Sequence, residues 1–169
     1  ILIFEVNNII ILGIDPGLAI VGWGVVEYKG NKFTTLGYGS IQTPSTMRTE
    51  DRLVEIFKSM NVLIETYKPD CLAVEELFWN TNQTTGIRVS EARGVILLCA
   101  AKQGIPIFEY TPLQVKQAVV GYGRADKNQV QQMVKLLLGL EKVPKPDDTA
   151  DAVAIAISHA YGYRGAHKI

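Results

Sequence analysis

Four acidic residues, Asp15, Glu75, Asp148 and Asp151, stand at positions where a carboxylate needs a reason. Asp15 ends an apolar run and precedes Pro16-Gly17, so by itself it is a turn aspartate accepting backbone N–H bonds. Glu75 closes Cys71-Leu72-Ala73-Val74, a run apolar on both of its alternating faces. A carboxylate there is costly unless it is salt-bridged or metal-bound. Glu76 points to the opposite face and competes for the same role. Asp148 and Asp151 open an apolar helix, three residues apart and so on one face. Alone they, with Asp147, are a helix cap and first-turn acids favoured by the helix dipole. However, Asp151 is followed by Ala152-Val153-Ala154-Ile155-Ala156-Ile157. A helix so apolar is buried nearly all round, and its acidic start looks into the structure.

Converging at one end of a sheet, four acids would repel one another strongly unless something positive sat among them. An oxygen-only donor set suits Mg²⁺, with Mn²⁺ as a substitute, rather than zinc. Two such ions, about 4 Å apart, clamp the attacking and leaving oxygens of a phosphodiester. Neither histidine is placed to share this work. His159 lies eight residues beyond Asp151, about 12 Å along the helix axis, and is expected to be a packed or surface imidazole. Cys71 and Cys99 sit inside apolar stretches without a C-x-x-C spacing, so they are expected to be buried free thiols.

The elements that must position these acids follow from periodicity. Residues 9–14 form a buried strand ending at Asp15-Pro16-Gly17. Residues 19–28 and 32–43 are β-rich runs joined by Lys29-Gly30-Asn31, completing an antiparallel meander. Residues 49–67 carry apolar side chains at helical spacing, stopped at Lys68-Pro69. A strand at 71–77, a helix at 84–103 closed by Gly104, and a strand at 105–110 follow. Helices then start at Pro112, span 127–140 and span 148–161. A three-stranded meander followed by alternating helix and strand is an α/β arrangement. It predicts a five-stranded mixed sheet, the meander plus parallel strands, flanked by helices. Asp15 and Glu75 then sit at the ends of two neighbouring strands, where ligands gather on such sheets.

At 169 residues the chain fits one domain over 1–169, with residues 1–9 as an extension ahead of it. No uncharged apolar run approaches the roughly 20 residues that span a bilayer. The start lacks a basic region and contains Glu5, unlike a signal peptide, so a cytoplasmic location is expected. The formal net charge is zero, which alone argues against a nucleic-acid partner. The distribution is uneven, however. Between Tyr110 and Pro146 lie Lys116, Arg124, Lys127, Lys135, Lys142 and Lys145, against only Asp126 and Glu141. That local excess is a candidate DNA-binding face, Arg124 included.

The motifs resemble those of the RuvC-type Holliday-junction resolvases, which have an RNase H-like fold. Ile11-Leu12-Gly13-Ile14-Asp15-Pro16-Gly17 and Ala73-Val74-Glu75-Glu76-Leu77-Phe78 are similar to that family's first two acidic motifs. Phe108-Glu109-Tyr110 with 114–121 resembles its lysine-bearing segment, and 148–156 its final acidic helix. Gly-Ile-Asp-Pro-Gly alone is weak, since actin-like ATPases carry similar turns; the ordered set, from about residue 10 to 159, is specific. The resemblance implies a homodimeric, Mg²⁺-dependent endodeoxyribonuclease of DNA recombination and repair. Such an enzyme nicks two opposed strands of a four-way junction and leaves 5′-phosphate and 3′-hydroxyl ends. It implies that Asp15, Glu75, Asp148 and Asp151 are the metal-binding catalytic acids, holding two ions. Lys116, as a catalytic residue, and Lys127 would lie near the scissile phosphate and DNA backbone. Phe78 would stack on unpaired bases at the crossover, and a branch-migration helicase complex would be the partner. The helix at 84–103, with Ala92, Gly94, Leu97 and Leu98, is the candidate two-fold interface. Another RNase H-like nuclease acting on RNA or other branched DNA would keep the acids but lose junction preference. A junction-binding module that does not cut would be expected to lack a carboxylate, and an actin-like ATPase needs a second subdomain for which the chain has no room.

Overall fold

The computed structural model describes residues 8–77 and 83–166. Strands β1 (Ile9–Asp15), β2 (Ile20–Lys29) and β3 (Lys32–Gln42) form the antiparallel meander. Helix α1 (Thr49–Tyr67) leads to β4 (Cys71–Glu75), and α2 (Gln83–Lys102) leads to β5 (Ile107–Tyr110). Helices α3 (Pro112–Val120), α4 (Lys127–Leu137) and α5 (Asp147–Ala166) complete the described chain. The sheet order is β3-β2-β1-β4-β5, with β4 parallel to β1 and β5 parallel to β4. The mixed five-stranded sheet flanked by helices is therefore the one expected from the sequence.

Turn chemistry explains the meander. Gly30 and Asn31 both take positive φ, 52° and 70°, as a two-residue hairpin turn of the right twist requires. The β1, β4 pair is the central spine, and alternation sends its side chains to two cores. Leu12, Ile14, Leu72 and Val74 pack with Ile56, Met60, Ala92 and Ile96 of α1 and α2. Ile11, Cys71 and Ala73 pack with α3, α4 and α5, including Val115, Val130, Val153 and Ile157. Both cysteines are buried and unbridged, as expected. From Ala152 to Ala160 every residue of α5 is buried.

Several boundaries differ from the sequence expectation, each for a local reason. The strand expected over 71–77 stops at Glu75, because its neighbour β5 ends at Tyr110; the Glu76 N–H makes the closing bond to the Tyr110 carbonyl. Beyond Tyr110, Thr111 caps α3 in a reciprocal capping box with Gln114. The strand expected over 105–110 begins only at Ile107, since the Ile105 N–H still closes α2 on the Ala100 carbonyl. Gly139 at φ 62° ends α4 before residue 140, with the Leu140 N–H returned to the Lys135 carbonyl. Ala92, offered as an interface residue, is fully buried in the core on α2's inner face.

Candidate active site

Strand alternation puts Asp15 on the same face as Ile11 and Gly13, and Glu75 on the same face as Cys71 and Ala73. This is the α5 face. The register Ile14↔Val74 places the two acids side by side, one residue past the last β1–β4 pair. Glu76, on the opposite face, is exposed.

What brings Asp148 and Asp151 to them is close approach of α5. Asp15 pairs with Gly22 and Gly13 with Gly24. A Cβ at Gly22 would overlap the Asp148 carbonyl, and one at Gly13 would overlap the Ala152 carbonyl and lie 2.9 Å from the Ala156 Cβ. At Gly24 it would collide with Val153. Thr149 Oγ1 adds a bond to the Gly39 carbonyl at 3.0 Å, tying the start of α5 to the meander. Sequence reasoning missed this glycine seat; its signal was the glycine pair Gly22 and Gly24 on one face of a strand.

Electrostatics follow from the convergence. Burial, then the charges of Glu75, Asp151 and Asp148, push the Asp15 carboxyl up to about 8, with Lys127 pulling the other way. Burial and Asp151 raise Glu75. Burial also raises Asp151, against the hydrogen bond and charge of Lys127. Lys127 Nζ lies 3.1 Å from an Asp151 carboxylate oxygen and 3.5 Å from one of Asp147. Although burial pulls the Lys127 ammonium down, those two acids outweigh it and the net shift is upward. Asp147 is itself bonded to Lys145 at 2.7 Å. Among the described residues no three His, Cys, Asp or Glu side chains close tightly enough to grip an ion as they stand. Burial first, and then the crowding of like charges, raises these carboxyls, and a bound cation would offset that cost.

Glu75, Asp151, Lys116 and Lys127 line one cleft of about 230 Å³, walled by Pro112, Val115, Val130, Ala154 and Ile155. The cleft thus holds two of the four acids and two of the three basic residues singled out. Asp15 and Asp148 are not in its lining, and Asp15 is close enough to feel the charges of Glu75, Asp151 and Asp148. Arg124 is exposed on the turn between α3 and α4 and is not part of the cleft lining. Phe78 lies outside the described residues. His159 is packed: its Nδ1 is 2.6 Å from the Tyr110 hydroxyl and its ring stacks on Phe108 at 4.4 Å. An oxygen-rich acidic cluster floored by strand ends, next to lysines, suits a hard divalent cation and a phosphate group.

Comparison with known proteins points to one family and one fold. Residues 11–159 match the family model described as crossover junction endodeoxyribonuclease RuvC. A protein of that name from Alkaliphilus oremlandii is 62% identical over 152 residues, covering 90% of this chain and 93% of its own. The structure of Thermus thermophilus RuvC in complex with a Holliday junction substrate superposes with a TM-score of 0.90 at 36% identity, covering 94% of this chain and 96% of that one. The yeast mitochondrial Holliday junction resolvase shares the fold, with a TM-score of 0.61 at 18% identity over 89% of this chain and 78% of its own. With the family model matching residues 11–159 and a relative 62% identical over 90% of the chain, this chain belongs to the RuvC family of crossover junction endodeoxyribonucleases.

Proposed function

We infer that this chain resolves Holliday junctions, cutting DNA at the acidic end of its sheet. The observation that carries the reading is the meeting of four carboxylates from β1, β4 and α5 beside a lysine-lined cleft, in a member of a metal-dependent nuclease family. Asp15, Glu75, Asp148 and Asp151 would hold Mg²⁺, two ions in our reading, and no protein nitrogen or sulfur is required. Bound there, the metal would activate the water nucleophile and stabilise the departing 3′ oxygen, leaving a 5′-phosphate and a 3′-hydroxyl.

The remaining work falls to side chains of the chain itself. Lys116, in the wall of the cleft, would place its ammonium on the phosphate being attacked. Lys127 pairs with Asp151 and, from the wall of the cleft, would also reach the DNA backbone. Phe78 would stack on a base at the crossover, and Arg124 would hold a flanking phosphate. Paired cuts on opposed strands call for two sites, and a homodimer through α2 would supply them. Its outward face offers Leu98, 53% exposed, and Gly94, with open space where a side chain would be. A branch-migration helicase complex is the partner this role implies. Among the described residues no helix is long and apolar enough to cross a membrane.

The direct test is cleavage of a four-way junction, a linear duplex and an RNA duplex, each with and without Mg²⁺. Symmetric nicks in the junction alone, and only with the cation, are expected. Equal cutting of linear DNA or RNA would refute the junction assignment.

A further inference from the structure

Arg93 stands outside the acidic cluster, in the middle of α2, yet its side chain is only 12% exposed and is turned toward the sheet. Its Nε–H donates to the carbonyl oxygen of Glu75 at 3.3 Å. A second guanidinium nitrogen lies 2.8 Å from a carboxylate oxygen of Glu109, which is 48% exposed. Glu109 belongs to β5 and pairs in register with Val74, the residue before Glu75. One side chain therefore ties α2 to the ends of β4 and β5.

The place of this tie gives it meaning. The β1–β4 pairing stops at Ile14↔Val74, so the Glu75 carbonyl lies past the last paired residue of β1. The β4 strand ends here too, one bond after its last partner on β5. Glu75 keeps its partner Tyr110 on β5 but has none on β1. A strand end paired on one side only frays more readily, and this one carries a carboxylate of the cluster. Arginine suits the task because its planar fork can serve a carbonyl and a carboxylate at once, whereas lysine is a single point charge.

We propose that Arg93 is a positioning residue for Glu75, holding the backbone of the β4 terminus so that the carboxylate is presented to the metal. This rests on the reading of Glu75 as a metal ligand. Its test compares Arg93→Gln, Arg93→Lys and Glu75→Gln with the parent. The readouts are Mn²⁺ binding by calorimetry without DNA, the Mn²⁺ dependence of junction cleavage, and junction affinity in EDTA.

For Arg93→Gln the Mn²⁺ midpoint should rise about tenfold, as for other residues that orient a ligand. Junction affinity should stay within about twofold of the parent, since the guanidinium faces protein rather than a phosphate. Saturating Mn²⁺ should recover much of the rate, and Arg93→Lys should fall between. A folded Arg93→Gln with the parental midpoint overturns the proposal, and so does a lowered Tm with an unmoved midpoint. Glu75→Gln separates the two readings: if it binds Mn²⁺ and cuts like the parent, Glu75 is not a ligand, whatever Arg93 does. Should Arg93→Gln fail to fold, Glu109→Gln decides. Loss of that half-exposed partner should raise the midpoint about threefold, and an unchanged midpoint overturns the proposal.

Discussion

Asp15 concentrates the chemistry at the residue scale. Its carboxyl is held at about 8 against an ordinary 3.8, by burial first and by three neighbouring acids second. Between those values the folded chain keeps a proton that the unfolded chain has lost, so stability falls as pH rises across the interval and levels off above it. Without metal, the parent should therefore melt at progressively lower temperature from about pH 5 to 8. Asp15→Asn should remove part of that fall and be the more stable protein at the alkaline end, by an amount on the order of a few kcal/mol. It should also lose cleavage while keeping junction binding. Thermal melts in EDTA and a gel-shift titration check both. Equal slopes for parent and variant would mean that Asp15 ionises freely, and retained cleavage would remove it from the site.

Elements matter through how closely they meet. The acidic start of α5 reaches β1 and β2 only because Gly13, Gly22 and Gly24 leave room for its backbone. Gly22→Ala touches no charged group, yet its Cβ would overlap the Asp148 carbonyl. Forcing the helix outward should destabilise the fold by about 1–3 kcal/mol, the usual range for overpacking. It should also lower the cleavage rate more than an equally destabilising change far from the cluster, such as Ile56→Val in the opposite core. Urea unfolding paired with single-turnover cleavage makes the comparison. If rate loss merely follows stability loss in both variants, the glycine seat has no bearing on the site.

For the whole molecule, a net charge of zero hides a segment with six basic residues and two acids. Two of those lysines line the cleft, and Arg124 is exposed on the turn between α3 and α4. Junction binding should weaken steeply with salt, because each phosphate contact releases counterions. Arg124→Ala should weaken binding across junction sequences alike and lower the slope of log affinity against log salt by about one. An unchanged slope would place Arg124 away from the DNA.

Reading along the chain sufficed for what depends on neighbours in sequence. Apolar periodicity set the element order and the helix at Thr49–Tyr67 to the residue. Strand alternation marked Glu75 as misplaced in an apolar run, and the buried stretch after Asp151 marked the inward-facing helix start. Where elements end is less local: β4 stops at Glu75 because a strand needs a partner and β5 has already turned into the cap of α3. Only the tertiary structure could choose Glu75 over Glu76 for the cleft, turn Ala92 into the core, and place Asp147 beside Lys127. It alone showed that Arg93 binds a strand end 18 residues before it. Each of these depends on which surface lies across a gap of a few ångströms, a distance that periodicity within one segment does not encode.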